Sequence, residues 1–197
     1  MGECKGTEPT AFEGAVLTGG LSRRMGRDKA LLPVREVPMA VRVARSLYEA
    51  GATEVFAVGG DPVSLRALGL RYVADEFPHE GPLGGIISAL RAGSGAAVVV
   101  CACDMPWIRP EHVVRLVLEL GRNDAVLSAD NGQLQPLHAV WSHTALEKLE
   151  RAFRRGERSP QRAVGDLRFK IVDLGGGSWS SDVDTPEEVA SIDPPQN

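Results

Sequence analysis

Apolar residues along this chain follow two alternating rhythms. Compact apolar runs at 14–18 (GAVLT), 53–60 (TEVFAVGG), 96–103 (AAVVVCAC), 124–129 (DAVLSA), 136–141 (PLHAVW) and 170–174 (KIVDL) have strand length and are bounded by turn residues. Between them, apolar positions recur every three or four residues, the helical spacing. Ala40, Val43, Ala44 and Leu47 form one such stripe within 38–51, opened by Pro38 and stopped by Gly51. Val113, Leu116, Val117 and Leu120 form another within 109–121, and Leu146, Leu149 and Phe153 a third within 142–155. IISALRAG at 86–93 reads as a shorter helix and LRYVAD at 70–75 as a short strand. Several strands are apolar throughout, as happens when helices cover both faces of a sheet. The pattern predicts one three-layer α/β domain over 13–192 with a mainly parallel sheet, a flexible tail at 1–12 and a short tail at 193–197. The turn-rich DNGQ between DAVLSA and PLHAVW predicts an antiparallel hairpin within it.

Composition narrows this picture only a little. A chain of 197 residues suits a single domain, and 43% hydrophobic against 24% charged residues can fill a core. The net charge of -4 argues against a general nucleic-acid coat. Arg23, Arg24, Arg27 and Lys29 are thus a local basic cluster on an acidic background. The longest apolar run, Ala96 to Cys103, falls well short of a membrane span, and the first residues lack the apolar stretch of a signal peptide. The expectation is a cytoplasmic protein with neither membrane nor nucleic acid as partner. Cys101 and Cys103, two apart, face one side of their strand and read as buried, inert thiols.

In open α/β sheets ligands bind beyond the carboxyl ends of the strands. Four polar motifs fall at such places. The first is LTGGLSRRMGRDKALL at 17–32, where Gly19 and Gly20 allow a tight turn with amides facing an anion, and Arg23 and Lys29 add positive charge. It matches neither familiar phosphate-loop fingerprint, and alone it reads equally as a glycine turn with solvated basic residues. The second is Asp104, at the exit of the central apolar strand, placed either to hold a hard cation such as Mg²⁺ or to cap the turn before Pro106. The third is Asp182 and Asp184, two apart before a capping box of Thr185, Pro186 and Glu188. The fourth runs from Asp75 through Gly81, Pro82, Leu83, Gly84 and Gly85, where backbone amides leading into a helix suit a base edge or a phosphate. The histidines His79, His112, His138 and His143 show no ligand spacing and read as structural or surface residues.

Taken in order, the glycine loop, DEFPHEGPLGG, CACDMP, QPLHAV and DVDTPEE resemble one family over nearly the whole chain. That family is the molybdenum cofactor guanylyltransferases of MobA type, within the MobA-like NTP transferase superfamily. The resemblance implies a Rossmann-like, GT-A-like nucleotidyltransferase fold. It implies GTP and molybdopterin cofactor as substrates, Mg²⁺ as cofactor, a guanine dinucleotide cofactor and pyrophosphate as products, and cofactor-delivery or acceptor proteins as partners. By position it implies that Leu17, Thr18, Gly19 and Gly20 line the nucleotide, with Arg23 and Lys29 on its phosphates. It implies that Asp75, Gly81, Pro82, Leu83 and Gly85 contact the nucleoside and that Asp104 holds the metal. Gln135, Pro136, Arg158, Ser159, Asp182 and Asp184 would then face the pterin, with the last two also near the metal.

The chain departs from the family pattern in three places. Thr18 stands where alanine is usual, Asp182 and Asp184 stand where asparagines are expected, and PVREVP at 33–38 lacks a customary glycine. Two rival readings remain open on sequence alone. One is a cytidylyltransferase on the same cofactor or a nucleotidylyltransferase for a sugar or small phosphate. The other is a binding protein that keeps the loop without turnover.

Overall fold

A computed structural model describes residues 10–19, 28–176 and 178–181. The strands are β1 (Phe12–Leu17), β2 (Pro33–Val34), β3 (Val37–Pro38), β4 (Val55–Val58), β5 (Arg71–Val73), β6 (Ala97–Ala102), β7 (Ala125–Asp130), β8 (Gln133–Ser142) and β9 (Phe169–Asp173). The helices are α1 (Met39–Glu49), α2 (Pro62–Ala67), α3 (Pro82–Ala92), α4 (Pro110–Leu118), α5 (Leu146–Arg154) and α6 (Pro160–Ala163). Seven strands form one sheet in the order β5-β4-β1-β6-β8-β7-β9, and β2 pairs with β3 in a separate hairpin. Among the described strands of the main sheet, β8 alone runs against its neighbours, so the sheet is mainly parallel.

Alternation along each strand divides the core into two layers. Val16, Val99, Cys101 and Val140 pack with α1 and α4 on one face. Ala15, Leu17, Val98, Val100 and Trp141 pack with α3 and α5 on the other. The chain is thus a three-layer α/β domain, and both thiols sit in one cluster as their spacing requires. Burial pushes the Cys101 and Cys103 thiols above their ordinary range, which makes them inert.

Several element bounds differ from the sequence pattern for identifiable reasons. β1 starts at Phe12, which is buried against the first face, rather than at 14. α3 starts at Pro82, four residues before the periodic run, and takes Gly84 and Gly85 into its first turns. A Cβ on Gly84 would lie 2.7 Å from the Cβ of Phe77, so close packing recruits these glycines into a helix. α2 escapes the periodicity because it is short, although Asp61 caps it through the Ser64 amide at 2.7 Å and Pro62 opens it. The expected hairpin is present as β7–β8, turning at Asn131 and Gly132 with positive φ. The glycine missing from 33–38 leaves Arg35 (φ 48°) and Glu36 (φ 67°) in the left-handed region at the β2–β3 turn, where glycine or asparagine is the low-energy choice.

The amino-terminal end of the sheet is sealed by two buried carboxylates. Glu13 accepts from the amides of Ser94 (2.7 Å) and Gly95 (3.0 Å) and from the Ser94 hydroxyl (3.1 Å). Asp124 accepts from Lys148 Nζ (2.7 Å), the Thr144 hydroxyl (2.9 Å) and the Arg168 amide (2.8 Å). At both, burial opposes the charge but hydrogen bonds outweigh it, so each carboxyl titrates below its usual range.

Candidate active site

The strand order reverses between β1 and β6. β4 and β5 build outward on one side of β1, and every later strand lies on the other side. The crevice above such a switch point is where open sheets take ligands. Here it is a cleft of about 420 Å³ lined by residues from the carboxyl ends of β1, β4 and β6, from the loops after β1, β5 and β6, and by Leu137 of β8.

Of the candidate residues, the cleft gathers Leu17, Thr18, Gly19, Lys29, Asp75, Gly81, Pro82, Gly85 and Asp104. Val58, His79, Ala102, Cys103 and Leu137 join them without having been singled out as site residues. Alternation along β8 places Leu137 on this side, a signal that was present in the sequence. Leu83 is fully buried beneath the cleft, and its amide turns to the Arg158 carbonyl at 3.4 Å. Gly20, Arg23, Asp182, Asp184 and the Thr185–Glu188 capping box lie outside the described residues.

Lys29 and Asp104 are 75 residues apart in sequence, yet Lys29 Nζ lies 3.5 Å from Asp104 Oδ2. Lys29 sits on a 3-10 turn, Lys29–Leu31, whose first amide bonds are organised by Asp28 accepting from the Ala30 amide at 3.0 Å. Asp104 is the second residue after β6, and the Cys103 amide between them ties that exit to the Leu17 carbonyl at 3.1 Å. Both side chains are partly exposed to the cleft, at 19% and 27%. An ammonium and a carboxylate side by side in an open cleft can serve a ligand carrying phosphates and a hard cation together.

The glycine loop works differently from the sequence expectation. The Gly19 amide donates to the Val58 carbonyl at 3.1 Å, so it is not offered to an anion. Gly19 instead supplies space, because a Cβ on Gly59 (φ +76°) would lie 2.9 Å from the Gly19 Cα. The two loops touch backbone to backbone. Thr18 strengthens that contact: its hydroxyl reaches the carbonyls of Val58 (3.1 Å) and Gly59 (2.8 Å). The hydroxyl that distinguishes Thr18 from alanine is thus engaged by backbone carbonyls of the protein.

Asp75 is held by one oxygen. Oδ1 accepts from the Phe77 amide (3.0 Å) and the Ser88 hydroxyl (3.2 Å). Oδ2 faces the Gly19 side, 3.8 Å from where a Cβ on that glycine would sit. This is a positioned acceptor for N–H or O–H donors of a ligand.

The described acceptor-side candidates, Gln135, Pro136, Arg158 and Ser159, do not line the cleft. Gln135 and Pro136 sit on the amino-terminal half of β8, beside Leu137. The Arg158 guanidinium stacks on Phe153 at 3.8 Å, donates to the carbonyls of Phe153 (2.8 Å) and Glu157 (3.0 Å), and pairs with Glu80 at 2.6 Å. It clamps the loop that carries Gly81. The Ser159 amide donates to Glu157 at 2.7 Å, at the start of α6.

Among the described residues, no group of three His, Cys, Asp or Glu side chains gathers to hold a metal ion. The histidines are structural where bonded. His143 Nε2 reaches the Leu90 carbonyl at 2.7 Å, and buried His138, its pKa pushed down to about 3 by burial, contacts Ser128 through Nδ1 at 3.0 Å. No described helix is long and apolar enough to cross a membrane.

Comparison with known proteins agrees with this architecture. Residues 14–169 match the MobA-like NTP transferase domain. A probable molybdenum cofactor guanylyltransferase of Opitutus terrae is 42% identical over 84% of this chain and 85% of its own. The molybdenum cofactor guanylyltransferase of Pseudomonas putida KT2440 is 35% identical over 76% of this chain and 80% of its own. Among solved structures, molybdopterin-guanine dinucleotide biosynthesis protein A from Archaeoglobus fulgidus superposes with a TM-score of 0.72 at 24% identity. That superposition covers 90% of this chain and 95% of the other. Residues from first strand to last therefore place the chain in the MobA-like NTP transferase family, beside the molybdenum cofactor guanylyltransferases, and it belongs to that family.

Proposed function

We propose that this protein transfers GMP from GTP to the terminal phosphate of molybdenum-molybdopterin, giving the guanine dinucleotide cofactor and pyrophosphate. The observation that carries the reading is the meeting of Lys29 with Asp104 at the switch point, beside the positioned carboxylate of Asp75. The names of the relatives support guanine and molybdopterin as the substrates.

The acceptor phosphate is ionised near neutral pH and needs no strong general base. One of its oxygens bonds to the α-phosphorus of GTP as the bond from that phosphorus to the β-phosphate oxygen breaks. The electron pair leaves with pyrophosphate. Such transfers depend on positioning and charge neutralisation. Lys29 neutralises charge developing at the α-phosphate, and Arg23 is assigned to the remaining phosphates. Asp75 accepts nucleoside donor groups, while Gly19, against Gly59, keeps the cleft wall thin enough for the nucleotide to approach. Gln135, Pro136 and the segment bearing Asp182 and Asp184 are assigned to the pterin side.

A hard carboxylate oxygen at Asp104, open to the cleft, fits Mg²⁺, which takes one or two carboxylates with substrate phosphates. Bound there, the ion would add positive charge for the triphosphate. The same reading places the reaction in the cytoplasm, with delivery and acceptor proteins handling the pterin.

Pyrophosphate release from GTP and molybdopterin in Mg²⁺ tests the reaction. Calorimetric binding of GTP against CTP tests the nucleotide. Tight CTP binding without GTP binding would replace guanylyl with cytidylyl transfer, and no pyrophosphate from any nucleotide would leave a binding protein.

A further inference from the structure

A second hollow of about 420 Å³ lies between α1 and the start of α4 and shares no lining residue with the nucleotide cleft. Its walls carry Arg35, Arg42, Arg45 and Arg109, and the carboxylates there are Glu49 and Glu111. Many of the described arginines elsewhere find acids, as Arg71 does with Glu54, Arg91 with Glu76 and Arg162 with Glu157, while Arg66, Arg115, Arg122 and Arg168 stand apart from one another without an ion pair. Among the described residues, none of the four arginines of the hollow forms an ion pair. Arg42 spends its Nε on the Pro106 carbonyl at 3.4 Å, and the other three donate no side-chain hydrogen bond within the described protein.

Two of the four guanidinium groups are nevertheless placed. Arg42 lies 4.8 Å and Arg35 5.8 Å from the ring centre of Trp107, which is 5% exposed. Stacking on an indole face orients the planar fork while leaving its edge donors open. Arg35 holds this position within the β2–β3 turn at φ 48°, a conformation that favours glycine or asparagine. Burial lowers the Arg42 pKa, with repulsion from Arg35 and Arg45 adding to it. Clustered guanidinium groups without ion pairs, two of them oriented by an indole, suit an oxyanion that bonds to several of them at once.

The hollow carries two more positive than negative side chains, and a phosphate monoester dianion balances that excess. Its volume is that of a small-molecule site. We propose that this hollow binds a small phosphate-bearing molecule through its dianionic phosphate, separately from the nucleotide.

The test is titration with inorganic phosphate at constant ionic strength, following the Trp107 indole N–H resonance assigned with Trp107→Phe. Binding should be saturable, persist in Lys29→Ala, and weaken at least about ten-fold in Arg45→Gln/Arg109→Gln, the scale of a lost charge-assisted hydrogen bond. That pair makes no contact the fold needs, so its melting midpoint should match the wild type. Arg42→Lys, which keeps the charge but loses the fork, should weaken binding as well. A parallel titration with glycerol 3-phosphate separates the sources. Tighter binding than phosphate assigns a phosphate ester and equal binding assigns free phosphate, and either supports the site. A non-saturating response, loss of binding in Lys29→Ala, or full binding in the double variant would overturn it. So would binding of a glutamate-rich peptide with none of phosphate, which would make this a protein-docking face.

Discussion

The two ends of the sheet use carboxylates in opposite ways. At the amino-terminal end, Glu13 and Asp124 are 5% and 1% exposed, and both their oxygens are taken by amides, hydroxyls and an ammonium. At the carboxyl-terminal end, Asp75 is held by one oxygen, and Asp104 meets Lys29 in an open cleft. A saturated carboxylate fastens the chain to itself. A carboxylate with lone pairs to spare is available to a ligand. The difference comes from topology, because loops at the switch point diverge and leave room, whereas the connections at the other end pack shut.

Crossed substitutions should separate the two kinds most sharply. Asp104→Ala, like Lys29→Ala, should slow GMP transfer by about 10²–10³-fold, the scale of losing one transition-state stabiliser. Its partly exposed ion pair should alter folding stability by less than about 1 kcal/mol in urea denaturation. Asp124→Ala should do the reverse, costing about 1–3 kcal/mol because the Thr144 hydroxyl and the Arg168 amide lose their acceptor. Transfer at a temperature where the variant stays folded should remain at the wild-type rate. If Asp124→Ala lost activity without losing stability, the division between the two ends would fail.

The pH dependence sharpens the same comparison. The folded pKa values of Glu13 and Asp124 lie below their unfolded values, so their stabilisation is complete above the ordinary carboxylate range. It disappears as pH falls through the folded values. Urea midpoints measured from neutral pH downward should decline in acid, and Glu13→Gln should flatten that decline while costing about 1–3 kcal/mol at pH 7. The smallest effect belongs to Thr18→Val. Losing the hydroxyl that reaches Val58 and Gly59 should cost about 1 kcal/mol, and calorimetry should show weaker GTP binding as the Gly19–Gly59 contact loosens.

Much of this molecule was legible in its residue pattern. The stripes of α1 and α4 are buried as their spacing required, and the β7–β8 hairpin turns within DNGQ. The loops after β1, β5 and β6 were identifiable as the ligand side, and Lys29, Asp75 and Asp104 do line one cleft. The misreadings share one cause. Gly84 and Gly85 read as loop because glycine is a poor helix former, yet packing against Phe77 and Leu17 draws them into α3. The Gly19 amide read as an anion donor until the Val58 carbonyl took it. The contacts that hold Arg158 were likewise hidden in the sequence, since its guanidinium bonds to Phe153, Glu157 and Glu80.

Hydrophobic periodicity is a local property, so the sequence by itself determined the alternation of strands and helices, the layered class and the positions of the polar loops. The partner of a hydrogen bond or an ion pair is not local. Glu13 meets Ser94 and Gly95, Lys29 meets Asp104, and Arg35 meets Trp107, each across more than a third of the chain. Only the tertiary structure decided which polar groups were satisfied within the protein and which were left for a ligand, because strand order and close packing choose those partners.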